Sequence, residues 1–400
     1  MKDHAKDTRP PGFATKAIHH GYDPVAFEGA VSPPIFLTST YAFESTEQFQ
    51  AVFSGDSDRC VYGRQQNPTQ KLLEDRLAAL EGAEAAIVTA SGMGAIASTL
   101  LTLLAAGDEI VVHHTIYNTA GALMDEGLPK FGVKVVRADL STAAGTQAAI
   151  TPATKLVYFE TPINPSCEVL DIQRIAQAAK RVGAMVIVDS TFASPALQRP
   201  IEHGADLVIH SLTKYLNGHG DILGGVAIGR RDTIEAIRAA GAKYLTGATP
   251  SPMSCFLVLR GLKTLDIRME RHSKNALAVA QMLSAHPAVA RVIHPFLPDF
   301  ADRDIARRQM SAGSGMVSFE LKAGFDGVAP MIDKLNIIAR GISLGDTDSL
   351  IYHTAGMVDA RKKINPNLRL SPGVSPGLVR LSVGLEDIDD LLDDLRQALA

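Results

Sequence analysis

Short apolar runs alternate with helical patterns through the middle of the chain. Short, mainly apolar runs between polar or small residues predict buried strands. They lie at Ala85–Ala90, Glu109–Val112, Val133–Arg137, Leu156–Phe159, Met185–Val188, Leu207–Ile209 and Gly225–Ile228. Helical periodicity fills the intervals, most clearly from Asp171 to Val182. The alternation predicts an α/β fold with a mostly parallel central sheet, whose chemistry lies beyond the carboxyl ends of the strands.

The first part of the chain reads as an arm followed by a large domain. Residues 1–66 are rich in proline and glycine and show little period, but Ile35-Phe36-Leu37 is too apolar to stay in water. We therefore expect an N-terminal arm that contacts a neighbouring subunit. Residues 67–260 carry the alternating pattern of the predicted large domain. Asn67 and Pro68 suit the N-cap and first position of its opening helix.

The last part of the chain shows a different pattern of predicted helices and strands. One long helix-prone segment runs from Pro252 to Ser284, and strands follow at Val317–Leu321 and Val379–Val383. The chain ends in an amphipathic pattern over Ile388–Leu399. These features predict a smaller C-terminal α/β domain at 261–400.

Composition excludes several classes of protein. A formal net charge of −4 with mixed signs gives no basic face for nucleic acid. The cysteines Cys60, Cys167 and Cys255 are widely spaced and match neither a disulfide framework nor a zinc site, as in a reducing cytoplasm. Met1–Pro11 lacks the apolar core of a secretory signal, and Gly94–Gly107 is too short to span a bilayer. We expect a soluble, cytoplasmic protein without nucleic-acid or membrane partners.

The stretch from Ala205 to Asp221 carries the strongest chemical signal. Its apolar strand leads into Ser211, Thr213 and Lys214. A lysine just past a buried strand has its amine near a cleft, where desolvation lowers the pKa and makes the amine nucleophilic. Such an amine can hold an aldehyde cofactor as a Schiff base, with the two hydroxyls beside the cofactor's phosphate. For so short a motif, a surface lysine is the alternative interpretation.

Two further motifs fit the same cofactor. The small-residue turn Ser91–Gly94 precedes a predicted helix, and its N–H groups at the positive end of the helix dipole form a ready phosphate site. It lacks the third glycine of the dinucleotide fingerprint, and a simple tight turn is the alternative. Asp189 ends an apolar strand about one strand–helix–strand unit before Lys214. A carboxylate there would keep a pyridine nitrogen protonated, although aspartate at a strand end is also a common turn former.

Together these motifs resemble the cysteine/methionine-metabolism family of pyridoxal-phosphate enzymes, the trans-sulfuration family. It includes cystathionine γ-synthase, cystathionine γ-lyase, methionine γ-lyase and O-acetylhomoserine sulfhydrylase. The resemblance covers nearly the whole chain and rests on Tyr62-x-Arg64-x-x-Asn67-Pro68-Thr69, Ser91-Gly92-Met93, Asp189-Ser190-Thr191, Ser211-x-Thr213-Lys214 with Gly218-His219, and the run from Arg380 to Glu386. It implies fold type I, that of aspartate aminotransferase, with pyridoxal 5'-phosphate as cofactor and a homotetramer built from two active dimers.

The resemblance also implies roles for single residues. Lys214 would hold the cofactor and shuttle protons, Asp189 would pair with the ring nitrogen, and Tyr117 would stack on the ring and protonate the leaving group. The phosphate-binding residues would be Gly92, Met93, Ser211 and Thr213, joined by Tyr62 and Arg64 of the neighbouring subunit. The groups for the substrate's α-carboxylate would be Asn164, Ser343 and Arg380. No metal site is expected, because the adjacent His113 and His114 should face opposite ways at a strand end.

The family's chemistry implies γ-elimination from, or γ-replacement on, a γ-substituted amino acid. Ile342 stands where cystathionine-handling relatives resemble one another in carrying glutamate, so an apolar residue favours a methionine γ-lyase-like enzyme. Thr119 and Tyr244 nevertheless replace the cysteine and aspartate of the better-known methionine γ-lyases. The alternatives are O-acylhomoserine sulfhydrylase, cystathionine γ-synthase and cystathionine γ-lyase, and, from another class, a silent cofactor-binding scaffold.

The charged segment 358–372 departs from the family pattern. We expect it to border the substrate mouth, where its charges would favour a polar γ-substituent. A guanidino-oxy substrate such as canavanine would fit that expectation, giving a homoserine-type product, with Asp346, Asp348 or Asp359 as partner.

Overall fold

The structure is a computed structural model that describes residues 9–366 and 368–400. Its strands are β1 (Ala85–Thr89), β2 (Glu109–His113), β3 (Lys134–Ala138), β4 (Thr154–Glu160), β5 (Met185–Asp189), β6 (Leu207–Ser211), β7 (Gly225–Gly229), β8 (Val289–Ile293), β9 (Met316–Leu321), β10 (Ala339–Arg340), β11 (Leu350–His353) and β12 (Leu378–Ser382). Its α-helices are α1 (Phe13–His19), α2 (Thr46–Ser54), α3 (Pro68–Glu81), α4 (Gly92–Leu103), α5 (Asn118–Ala122), α6 (Ala143–Ala149), α7 (Ile172–Val182), α8 (Ser194–Leu197), α9 (Arg231–Ala236), α10 (Pro252–Leu262), α11 (Leu265–Ser284), α12 (Arg303–Gln309), α13 (Gly324–Asp333), α14 (Thr354–Lys362) and α15 (Ile388–Leu399).

The large sheet confirms the predicted α/β architecture. Its seven strands lie in the order β1-β7-β6-β5-β4-β2-β3. The strands from β2 to β6 pair in parallel, and β7 runs antiparallel to both of its neighbours. Because parallel strands end on one edge, β4, β5 and β6 bring Glu160, Asp189 and Ser211 to the same side of the molecule.

Helices cover both faces of this sheet. On one face α4 buries Ile96 and Leu100 against strand residues such as Ile110. On the other face α7 contributes Ile172 and Ile175 to a separate cluster. The α7 helix begins at the predicted place because the side chain of its N-cap residue, Asp171, accepts a hydrogen bond from the backbone amide of Arg174. The strands are therefore buried on both sides, which explains their continuous apolar runs.

The C-terminal region forms a second sheet. Its five strands lie in the order β10-β11-β12-β9-β8 and are antiparallel except for the short β10–β11 pair. Helices α11, α13 and α15 pack on it through side chains such as Val279, Val328 and Leu391. The terminal helix spans the predicted residues, Ile388–Leu399.

Two sequence-based expectations need correction. The segment from Pro252 to Ser284 forms two helices, since α10 ends at Leu262 and α11 begins at Leu265. Gly261 near the break packs against the backbone of Asn217, a long-range contact that no local pattern reveals. The arm is also more regular than its proline and glycine content suggested, because it contains α1 and α2. The predicted domain boundary at 260/261 falls inside α10 and stays a prediction.

Residues 9–366 and 368–400 include no helix that combines the length and the apolar character needed to cross a bilayer.

Candidate functional site

The amine of Lys214 lies between the two sheets. The residue follows β6, and its Nζ donates a hydrogen bond of 2.7 Å to Oγ of Ser343, which comes from the C-terminal region. Burial and, to a smaller extent, the positive charge of Arg380 lower the pKa of Lys214 to about 8, while the charge of Asp346 acts in the opposite direction. A substantial fraction of the amine is therefore unprotonated and nucleophilic just above neutral pH.

Beside this amine lies a buried guanidinium. Arg380 projects from β12, and its Nη1 donates to Oδ1 of Asn164 at 2.9 Å. Its Nη2 donates to the carbonyls of Ile342 and Ser343 at 2.8 and 3.1 Å. Burial lowers the pKa of Arg380. Among the described residues its Nε has no partner, and the guanidinium lies 5.0 Å from the ring centroid of Tyr352. A buried cation with an unpaired N–H suits a substrate carboxylate.

Asp189 forms the opposite end of the site. Its Oδ1 accepts hydrogen bonds from the backbone amide and the hydroxyl of Thr191 at 3.0 and 2.5 Å. The hydroxyl of Tyr158 donates to Oδ2 at 3.4 Å. Burial raises the pKa of Asp189, whereas the two Thr191 hydrogen bonds lower it. A buried carboxylate held in this way suits a protonated ring nitrogen, whose positive charge would replace the lost hydration.

The turn after β1 packs directly on Ser211. A Cβ built on Gly92 would lie 3.2 Å from Cβ and Oγ of Ser211, so the two predicted phosphate-binding elements are in contact. Helix α4 begins at Gly92, inside the turn Ser91–Gly94 that was expected to precede it, and places Gly92 and Met93 in its first turn. The amides there lack intrahelical acceptors and lie at the positive end of the helix dipole, an arrangement that suits an anion. Nearby, Oγ1 of Thr213 accepts the Gly224 amide at 3.1 Å.

Tyr117 is held through its backbone. Its N–H donates to Oε1 of Glu160 at 2.7 Å, and Glu160 is in register with Asp189 on the neighbouring strand. The side chain of Tyr117 remains 44% exposed. Burial raises the pKa of Glu160, and the adjacent charge of Asp189 raises it further. The paired strand ends thus fix the position of Tyr117 while leaving its phenol accessible to a ligand.

Tyr62 and Arg64 lie apart from this group. Nη1 of Arg64 donates to the Lys243 carbonyl at 2.6 Å, and its guanidinium lies 5.4 Å from the ring centroid of Tyr62. The hydroxyl of Thr249 donates to the Arg64 carbonyl at 3.0 Å. Both residues line a surface cavity of about 410 Å³. Within the described part of the chain neither hydrogen-bonds to Lys214, Ser211 or Asp189, so one subunit alone does not unite all the predicted site residues.

Two positioning contacts were not predicted from the sequence. Oγ1 of Thr191 donates to Asp189 and also accepts the Ser211 amide at 2.9 Å, which ties the two ends of the cofactor site together. Glu160 supports Tyr117 as described above. Thr191 lies two residues after Asp189, at the spacing of an Asx turn, and that spacing was the available signal. Its bond to Ser211 depends on the alignment of β5 with β6 and has no local signal.

The adjacent histidines were wrongly expected to face opposite ways. Their rings lie 4.3 Å apart at the end of β2, and His113, His114 and Asp139 place ligand atoms within 4.8 Å of one another. However, Nδ1 of His113 accepts the Leu140 amide at 3.1 Å. In the neutral ring the proton is then on Nε2, and that nitrogen has no lone pair to offer a cation. Burial lowers the pKa of His113 to about 3, so the ring is neutral at physiological pH.

Comparison with known proteins gives consistent results. Residues 14–400 match the family model described as Cys/Met metabolism PLP-dependent enzyme. The chain is 48% identical to an L-methionine gamma-lyase of Pseudomonas putida over 389 residues, which are 97% of each chain. It is 39% identical to an O-succinylhomoserine sulfhydrylase of Pseudomonas aeruginosa, covering 98% of this chain and 96% of that protein.

A solved structure agrees in fold. The crystal structure of cystathionine gamma synthase from Xanthomonas oryzae pv. oryzae in complex with aminoacrylate and cysteine superposes with a TM-score of 0.89 at 39% identity, covering 98% of both chains. These findings confirm the predicted fold class, the pyridoxal 5'-phosphate cofactor and the enzyme class. The chain belongs to the Cys/Met metabolism family of pyridoxal-phosphate-dependent enzymes.

Proposed function

We propose that this protein catalyses γ-elimination on a γ-substituted amino acid, as a methionine γ-lyase does. The observation that carries the proposal is the 2.7 Å hydrogen bond between Lys214 and Ser343 beside the buried Arg380. It places a nucleophilic amine next to a group suited to the α-carboxylate, so a bound amino acid would present its Cα to that amine. The methionine γ-lyase among the relatives, 48% identical, supports elimination over other outcomes.

The side chains divide the work between cofactor and substrate. When bound, pyridoxal phosphate supplies an electron-accepting ring that stabilises negative charge at Cα of the substrate. Lys214 would hold its aldehyde carbon and, once released, take the α-proton. Asp189 would keep the ring nitrogen protonated, and Tyr117 would donate a proton to the departing γ-group. Groups for the phosphate would be Gly92, Met93, Ser211 and Thr213, and those for the substrate carboxylate Asn164, Ser343 and Arg380.

The remaining phosphate contacts would come from a second copy of the chain. Tyr62 and Arg64 lie at an open cavity, and segment 243–249 joins Arg64 to the wall of the cofactor site, because the Ala90 amide donates to the Ala248 carbonyl at 2.9 Å. A partner docked at this surface would receive Tyr62 and Arg64 in its own site. We accordingly propose a homotetramer of two active dimers, working in the cytoplasm.

The mouth of the site bears on the leaving group. Ile342 is 74% exposed, which gives a γ-substituent an apolar neighbour. Asp359 lies 3.7 Å from Lys362 and is thus already partnered by a cation. Asp346 and Asp348 are still candidates to bind the cationic end of a guanidino-oxy substrate, so the proposal includes such a substrate. γ-Replacement uses the same groups, and the O-succinylhomoserine sulfhydrylase relative, 39% identical, makes it the second candidate.

Two measurements test the proposal. Borohydride treatment of the purified holoenzyme followed by peptide mapping should label Lys214, and labelling of another lysine, or of none, contradicts it. A substrate panel of methionine, homocysteine, cystathionine, O-acetylhomoserine, O-succinylhomoserine and canavanine is then scored for 2-oxobutanoate, homoserine and released thiol, with and without added thiol. Elimination predicts a 2-oxo acid that forms without added thiol. A thioether formed only with added thiol would establish replacement instead.

A further inference from the structure

A short segment of the C-terminal region lies on the loop that follows Lys214. Ser343 accepts the hydrogen bond from the amine of Lys214. Gly345, with φ of +77°, packs so closely on Tyr215 that an added Cβ would lie 2.7 Å from the Tyr215 amide nitrogen. Asp346 comes next, and a Cβ on Gly220 would lie 3.2 Å from its Cγ. Successive residues of segment 343–346 therefore contact successive parts of the loop 214–220.

This segment is fixed from the other side as well. The Gly345 amide donates to Oγ of Ser382 at 2.9 Å, at the end of β12. The Leu385 amide donates to the Thr347 carbonyl at 2.7 Å. Asp346 thus projects from a backbone held on both flanks, and its position does not depend on its own side-chain contacts.

Neutral hydrogen-bond donors satisfy the carboxylate of Asp346 only in part. Its Oδ1 is buried and has no hydrogen-bond partner among the described residues. Burial raises the pKa of Asp346, the charge of Lys214 and the Gly220 amide lower it, and Asp348 and Asp221 raise it. Lys214 is therefore the cation that favours the ionised form of this half-buried carboxylate.

The negative charge of Asp346 raises the pKa of Lys214, whereas burial and Arg380 lower it. Burial and Arg380 both disfavour the ammonium form of Lys214, and Asp346 is the group that favours it. We propose that Asp346 is a positioning residue that stabilises the ammonium which Lys214 forms when it takes a proton, and that it couples segment 343–346 to the lysine loop. This inference rests on the proposed role of Lys214.

The decisive variant is Asp346→Asn, which keeps the shape of the side chain and removes its charge. Loss of the anion should lower the pKa of Lys214 by about one unit from its value of about 8. The full-length protein, freed of cofactor, is acylated with trinitrobenzenesulfonate across a pH series. Peptide mapping follows Lys214, with the exposed Lys180 as internal reference. The midpoint for Lys214 should move down by about one pH unit while that of Lys180 stays unchanged.

The direction of the shift separates this role from structural damage. A loosened site would expose Lys214 and move its midpoint upward, towards that of a free lysine. The control is Asp266→Asn, which removes an equal charge from an exposed side chain in the first turn of α11 and should leave the midpoint of Lys214 in place. An unchanged or raised midpoint in Asp346→Asn would overturn the inference. Asp346→Glu, which restores the charge, should bring the midpoint back towards that of the wild type.

Turnover adds a second readout. With a weaker base, kcat of Asp346→Asn should fall about tenfold, and the rising limb of the pH profile should move to lower pH. A change in KM for cationic substrates alone, without movement of the Lys214 midpoint, would assign Asp346 to substrate binding instead. If borohydride tags a lysine other than Lys214, the proposed function itself fails, whatever Asp346 does.

Discussion

The two ends of the site are built differently. At the cofactor end, Asp189 and Ser211 end β5 and β6, Thr191 follows β5, and Gly92 opens α4, and these residues contact one another through short hydrogen bonds or close packing. At the predicted mouth, Ile342 is exposed, and residues 363–372, which follow the end of α14 at Lys362, contain neither helix nor strand in their described part. From this difference we infer that the first region carries the proposed chemistry and that the second selects the substrate.

The strongest test of this division is Lys214→Ala. Without the amine, kcat should fall by at least about 10³-fold on every substrate, because both the attachment and the proton transfer are lost. Steady-state turnover and borohydride mapping measure the effect, and Lys180→Ala on the surface is the control. Near-normal turnover in Lys214→Ala would rule out the proposed chemistry, and circular dichroism should confirm that the fold is kept.

Arg380→Lys tests the boundary between the two regions. Lysine keeps the charge but loses the planar fork that binds Asn164 and the Ile342 and Ser343 carbonyls. We expect kcat/KM to fall about 10²-fold for all amino-acid substrates. The visible absorbance of the bound cofactor should change little. Selective loss on one substrate would place Arg380 in specificity and not in carboxylate binding.

Thr191→Val tests the hydrogen bonds that connect Asp189 with Ser211 at the cofactor end. The variant removes the hydroxyl that donates to Asp189 and accepts the Ser211 amide, so the free energy of unfolding should fall by about 1–3 kcal/mol. Cofactor retention should weaken about tenfold, since 1.4 kcal/mol corresponds to that factor. Denaturant titration measures the free energy of unfolding, and dialysis against cofactor-free buffer measures cofactor retention. The control is Thr233→Val, which removes a hydroxyl that donates to the adjacent Asp232, and equal losses in both variants would contradict the special role of Thr191.

Ile342→Ala should have the smallest effect. The side chain is 74% exposed, so its removal should alter stability by less than about 0.5 kcal/mol. Relative kcat/KM values among substrates should change by about tenfold at most, in favour of larger γ-groups. Comparing methionine with cystathionine measures this. A uniform loss on all substrates would mean that the mouth contributes to chemistry, and the division between the two regions would be wrong.

Local sequence was sufficient for the residues that act at strand ends. Asp189 ends the apolar strand β5 and Lys214 follows the apolar strand β6, and the apolar run alone indicates where each strand ends. The features that local patterns missed are long-range. Thr191 reaches Ser211 because β5 and β6 are in register, and Asp346 lies beside Gly220, far away in sequence, because the backbone around Gly345 and Thr347 is held by Ser382 and Leu385. The break between α10 and α11 likewise reflects contacts made by the folded chain and not helix propensity.

The placement of β7 has a consequence for biosynthesis. This strand separates β1, which precedes the phosphate turn, from β6, which precedes the lysine. Gly225 opens β7 where a side chain would overlap the Ser91 backbone, so the two halves of the pocket meet around it. A nascent polypeptide that has emerged from the ribosome only as far as Lys214 would carry the reactive amine, but its binding pocket for the vitamin-derived cofactor, pyridoxal phosphate, would still be incomplete. Capture of that group should therefore wait until residues beyond Gly229 have been synthesised.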